Sequence, residues 1–164
     1  MGMIASYYRI STELIEHLIS HPEEVETFLY EVEEVSEKEL DIDKAWHGIY
    51  FLLTGEAQLG AAVDSTEGDA VLGGRSLGQD LGMEPCRYLQ SDEVKEIYDT
   101  LKNISVNHLS EQFDAKAFNE ADIYPMYGEW TEEDKAYILD NYQQLVQYFK
   151  EAAQNEEGML LLIH

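Results

Sequence analysis

One stretch, DKAWHGIYFLLTG from Asp43 to Gly55, constrains the fold more than any other, because it reads as a helix that is apolar on two sides. At about 100° per residue, Ala45, Trp46, Ile49, Leu52 and Leu53 cluster within roughly 120° and form a stripe for the core. His47 and Phe51 fall nearly opposite, with Asp43 and Thr54 to one side and Tyr50 between the faces. Such a helix needs a second covering surface, or it borders a cleft. Asp43 is expected to cap its N-terminus with a carboxylate, and Gly55 to end it in the left-handed conformation.

His47 invites two readings. Asp43, one turn earlier, is spaced to orient or charge the imidazole for catalysis or ligand binding. A His beside Phe51 on the second face of a doubly packed helix is more often a hydrogen-bonded structural side chain, and that is the favoured reading. Trp46 is expected to anchor the core.

This helix, followed by LGG at Leu72 to Gly74, CRYL at Cys86 to Leu89 and YP at Tyr124 and Pro125, resembles the YfbM-like family. That family consists of small uncharacterised bacterial proteins, and the resemblance runs from MGMIASYYRIS to the apolar C-terminal run. Where the family reads approximately GPARYL, this chain has EPCRYL, so the turn lacks the glycine that a backbone-amide site would use. The resemblance supplies no catalytic residues to carry over.

Charge excludes several partners. The 164 residues hold 34 acidic and 10 basic side chains, a net charge of −24. Such a field repels phosphate backbones and anionic membranes, so neither nucleic acid nor membrane is an expected partner; it leaves room for cations, a basic protein, or no partner at all, an acidic surface most often serving solubility. Cys86, the only cysteine, cannot form an internal disulfide, which fits a reducing cytoplasm. The chain shows neither a transmembrane-length apolar run nor a signal-peptide pattern, so it is expected to be soluble and unexported.

Along the chain, MIASYYRI reads as a strand, and Ser11 or Thr12 as the cap of a helix that Pro22 interrupts and restarts. The glutamates of these helices diverge around a solvated face. His17 and His21 have a chelating spacing, but a third ligand is lacking and no metal is expected. The glycine-rich passage to Asp80 reads as a loop, a short strand around Ala70 and a turn. Ser91 is expected to cap the next helix and Thr131 a long final one. Met159 to Ile163 reads as a strand buried on both faces, and a pairing with the first strand would place both in one sheet.

Arg87, one of three arginines, is suited to bidentate binding of a carboxylate, with an internal ion pair favoured over a ligand. Tyr124, Tyr127 and Trp130 form either an aromatic rim or, the favoured reading, a cover over the long helix. HExxH, paired CxxC, G-x-S-x-G, phosphate-loop and dinucleotide signatures are all missing, so no cofactor is expected and the balance leans against an enzyme.

The expected fold is α+β, a predominantly helical single domain over residues 1–164, with a small mixed sheet from the N-terminal strand, the Ala70 region and the C-terminal strand. The favoured function is an acidic, non-catalytic cytoplasmic protein that neutralises a basic protein partner, in the manner of an antitoxin or immunity protein. The alternative is a small-ligand protein or unrecognised enzyme with a pocket near Asp43, His47, Arg87 and Tyr88.

Overall fold

The two apolar strands at opposite ends of the sequence lie side by side. The computed structural model describes residues 2–59, 64–80, 84–125 and 128–164. Among these, β1 (Ala5–Ile10), β2 (Glu39–Asp41), β3 (Arg75–Asp80), β4 (Pro85–Leu89) and β5 (Gly158–Ile163) form one sheet in the order β2-β1-β5-β4-β3. All six residues of β5 are buried, and it is central, pairing with β1 from Ala5↔Ile163 to Ile10↔Gly158 and with β4 on its other edge.

The fold is α+β and mostly helical, 57% helix against 16% strand. Helices α1 (Thr12–Ser20), α2 (Val25–Glu31) and α3 (Glu33–Ser36) cover one face of the sheet. The other face carries α4 (Trp46–Thr54), α5 (Asp69–Leu72), α6 (Ser91–Leu101), α7 (Val106–Gln112), α8 (Ala115–Glu120) and α9 (Lys135–Gln154). Strand alternation divides β5 between the two cores: Met159, Leu161 and Ile163 face the larger, Leu160 and Leu162 the smaller.

Two expectations about the sheet are corrected. Every strand pairing is antiparallel, so the sheet is not mixed. The Ala70 region is not a strand but the one-turn helix α5, fixed from below by the sheet: the Tyr7 hydroxyl donates to the Ala70 carbonyl at 2.8 Å. The strand expected there starts at Arg75, after Gly74 turns the chain at φ +90°. Gly74 is needed because a Cβ would lie 2.7 Å from the Tyr88 carbonyl oxygen.

Helix starts follow their caps. Ser11 Oγ accepts from the Leu14 amide at 3.2 Å, and Pro22 opens a 3-10 turn that leads into α2. Gln90, not Ser91, caps α6, because Gln90 is the last extended residue; its amide donates to the Glu93 carboxylate at 3.1 Å. The Thr131 amide likewise donates to Asp134 at 2.8 Å, ahead of the 3-10 turn that enters α9.

Crowding is greatest where β5 begins. A Cβ on Gly158 would sit 1.9 Å from Ile15 Cδ1 and 2.7 Å from the Leu89 carbonyl oxygen. The side chain can move but the paired backbone of β4 cannot, so Gly158→Ala is expected to cost about 1–3 kcal/mol, read as a lowered urea midpoint with unchanged m.

Candidate functional site

Helix α4 is enclosed on both sides, as its sequence requires. Trp46, Ile49 and Leu52 are buried, and on the opposite side Phe51 meets Phe118 edge-on at 5.4 Å. Gly48 permits this closeness: a Cβ there would fall 2.7 Å from Ile138 Cδ1 on α9. Trp46 is a core anchor whose indole N–H donates to the Met3 carbonyl at 2.9 Å. Gly55 ends the helix at φ +74°, in the expected left-handed conformation.

Asp43 does not cap α4. It sits at φ +51° at the start of the 3-10 turn Asp43–Ala45, which displaces its carboxylate from the first-turn amides. Asp43 Oδ2 instead accepts from the Tyr137 hydroxyl at 2.7 Å, and that hydroxyl in turn accepts from the Lys44 amide at 3.1 Å. Burial, then the nearby Asp43 carboxylate, pushes the Tyr137 pKa up.

Nor does Asp43 orient His47. His47 Nδ1 accepts from the Tyr124 amide at 2.9 Å, and Nε2 lies 2.8 Å from the Ala57 carbonyl. Since Nδ1 is an acceptor, the proton is on Nε2 and donates to Ala57. The neutral ring is therefore fully used. It is 5% exposed, and burial drives its pKa below the ordinary histidine value, against a smaller opposing pull from the Ala57 carbonyl.

Arg87 is held internally, but by carbonyls and not by a carboxylate. Nη1 donates to Gly73 O at 2.6 Å and Nη2 to Val71 O at 3.2 Å, so the guanidinium caps the C-terminal end of α5. The expected internal ion pair is absent among the described residues, because the register of β4 aims Arg87 at that helix end. Tyr88 turns elsewhere: its hydroxyl accepts from Arg75 Nε at 3.2 Å, under the Arg75 guanidinium, which also pairs with Glu93 at 2.6 Å. Cys86, on β4, is buried in the smaller core, and burial pushes its thiol up to about 12, away from the thiolate a nucleophile needs.

The Tyr124–Trp130 passage contributes to the core. Trp130 packs edge-on against Phe118 at 5.1 Å, its indole N–H donates to Ile123 O at 2.9 Å, and its backbone exchanges two hydrogen bonds with the Asn119 amide. Tyr124 receives the Met3 amide on its hydroxyl at 2.6 Å. Tyr127 lies outside the described residues. A cavity of about 240 Å³ opens beside this loop, lined by Pro125, Gly128, Glu129, Trp130, Asp134 and Tyr137.

Of the four residues singled out by sequence, only Asp43 approaches a described cavity, through Tyr137. His47 and Arg87 line none of the four described. Four residues that sequence reasoning missed, Arg9, Lys38, Tyr148 and Glu157, form a connected polar group. Glu157, 8% exposed, accepts from Lys38 Nζ at 3.2 Å on Oε2, and its Oε1 faces Arg9 Nε as an ion pair at 3.4 Å. The Tyr148 hydroxyl accepts from the Arg9 amide at 2.7 Å and donates to the Lys38 carbonyl. Its members come from distant parts of the chain, and no local pattern marks them. His17 pairs with Glu24 at 2.6 Å, and no metal-holding cluster occurs among the described residues.

Residues 1–162 match the family described as Domain of unknown function (DUF1877). The chain belongs to the DUF1877 family. Protein YfbM of Escherichia coli (strain K12) is 32% identical over 128 residues, which is 76% of this chain and 74% of that protein. The crystal structure of the protein of unknown function YfbM from Escherichia coli superposes with a TM-score of 0.76 at 26% identity, covering 99% of this chain and 100% of that one. The resemblance seen in the tryptophan-histidine helix thus identifies the family, and the DUF1877 description assigns no activity.

Two outcomes follow from this geometry. Because the folded pKa of His47 is depressed, the unfolded chain binds its proton first, and stability is lost as pH falls through about 6.5. The wild type should therefore lose up to about 1.4 kcal/mol per pH unit more than His47→Gln between neutral and mildly acid pH, measured by urea unfolding. Arg87→Met leaves the Val71 and Gly73 carbonyls without their donor and should cost about 2–4 kcal/mol in the same assay, with Arg87→Lys intermediate.

Proposed function

We propose that this chain is a non-catalytic cytoplasmic binding protein whose partner is a basic protein. The observation that carries this reading is the outer surface of α1–α3. Nine glutamates between Glu13 and Glu39 are exposed, and Lys38 is the only lysine or arginine in that span. Tyr30, 54% exposed, stands among them, with Ile19 exposed on α1. An aromatic ring flanked by carboxylates suits a guanidinium or ammonium partner, through the ring face and through charge.

The groups with catalytic potential support the same reading. Both nitrogens of His47 are bonded within the fold, the Arg87 guanidinium holds α5, and Cys86 is buried as a thiol. The buried single cysteine suits a reducing compartment, and none of the described helices is long and apolar enough to cross a membrane.

A second reading rests on the cavity beside Trp130. Its walls combine two aromatic rings with Glu129 and Asp134, which suits a small organic cation. Its volume is below the usual range for drug-sized ligands, so a compact amine is the matching class.

The test is retention on immobilised protein from its native lysate. Basic proteins should be held at low salt and released as salt screens the charges. Replacing Glu26, Glu31 and Glu34 with glutamine should weaken retention. Failure to hold any basic protein at low salt overturns the reading.

A further inference from the structure

The sheet has an edge that the described residues leave open. Strand β2 is terminal in the strand order and pairs only with β1, in the register Ser6↔Asp41, Tyr7↔Leu40, Tyr8↔Glu39. The Ile42 amide donates to the Ala5 carbonyl at 3.1 Å, which fixes the alternation of the ladder. Leu40, two residues away, therefore directs its backbone groups toward β1, while those of Glu39 and Asp41 point outward.

Beside this edge, along α9, runs a groove lined by Leu40, Asp140, Gln144, Gln147, Tyr148 and Glu151. Leu40 and Tyr148 give it an apolar floor, and the glutamines supply amide donors and acceptors. Asp140 is exposed and without an ion-pair partner among the described residues. From Asp140 to Glu151 the helix rises about 16 Å, the reach of roughly five extended residues. The opposite edge of the sheet differs, since the Pro22–Glu24 turn packs against β3.

We infer that this edge and groove receive an extended, lysine- or arginine-bearing segment of the partner, added to the sheet as a strand alongside β2. The inference rests on the basic-partner reading and gives it a place and a mode. Outward N–H and C=O groups of Glu39 and Asp41 pair with the segment's backbone, which supplies affinity without regard to sequence. Alternate side chains of the segment then reach Asp140, and charge selects basic residues over acidic ones. The glutamates of α1–α3, on the adjoining layer, steer the partner toward the edge.

The probe is a short labelled peptide of alternating lysine and valine, compared with one of the same sequence N-methylated at alternate residues. The first should bind, and the second, with its charge kept but half its amide donors removed, should bind at least about tenfold more weakly. Asp140→Lys, an exposed change that leaves the fold intact, should also weaken binding. Glu39→Pro removes an outward donor and should do the same, with circular dichroism confirming folding. Amide NMR shifts should centre on Glu39, Asp41 and the groove face of α9. Equal binding of the two peptides overturns strand addition, and indifference to Asp140→Lys overturns the groove. If neither peptide binds while basic proteins are still retained from lysate, the inference falls and the basic-partner reading stands. If nothing basic is retained, both fall.

Discussion

A strand without a polar side chain from Gly158 to Ile163 must be hidden on both faces and both edges, and the rest of the fold is arranged to do so. Edges are covered by β1 and β4, faces by two helical layers of unequal thickness. Burying Leu160, Leu161, Leu162 and Ile163 contributes about 1.5–3 kcal/mol each relative to exposure, so the strand supplies a large share of the net stability of a domain this size. The helices can be acidic on their outer faces because their inner faces are committed to this one strand.

Local chemistry made much of this legible. The apolar terminal run, the Pro22 restart, the Gly55 stop and the two-sided α4 all express interactions within a few residues, and each occurs where the sequence places it. The errors share a cause. Ala70 to Leu72 has the apolar character of a strand, yet it is a helical turn held by Tyr7 and Arg87, which reach it from β1 and β4. Asp43 has the chemistry of a cap, yet Tyr137, far along the chain, takes its carboxylate. His47 was readable as a structural histidine, but its partners, the Ala57 carbonyl and the Tyr124 amide, were not. Polar side chains seek whichever group tertiary packing leaves unpaired, and sequence distance does not limit that choice.

The polar groups at the layer boundary show the same rule from the other side. Arg9, on the central sheet, meets Glu151 at 2.5 Å and Glu157 at 3.4 Å, and Tyr148 ties its backbone to the turn before β2. This arrangement ends the larger core without exposing it. It also fixes β2 against the sheet, although that strand is only three residues long and would be weakly held by its ladder alone.

Antiparallel pairing of β1 with β5 has a consequence for synthesis. The Ile4 and His164 backbones exchange two hydrogen bonds, so the earliest strand is completed by the latest. During translation, at about 5–20 residues per second, β1 and β4 await a partner still inside the ribosome. The nascent chain therefore carries part of its apolar surface uncovered until β5 has been made, and docking of β5 is the step that completes the sheet. High net negative charge is well suited to that interval, since mutual repulsion keeps unfinished chains apart while the centre of the sheet is missing.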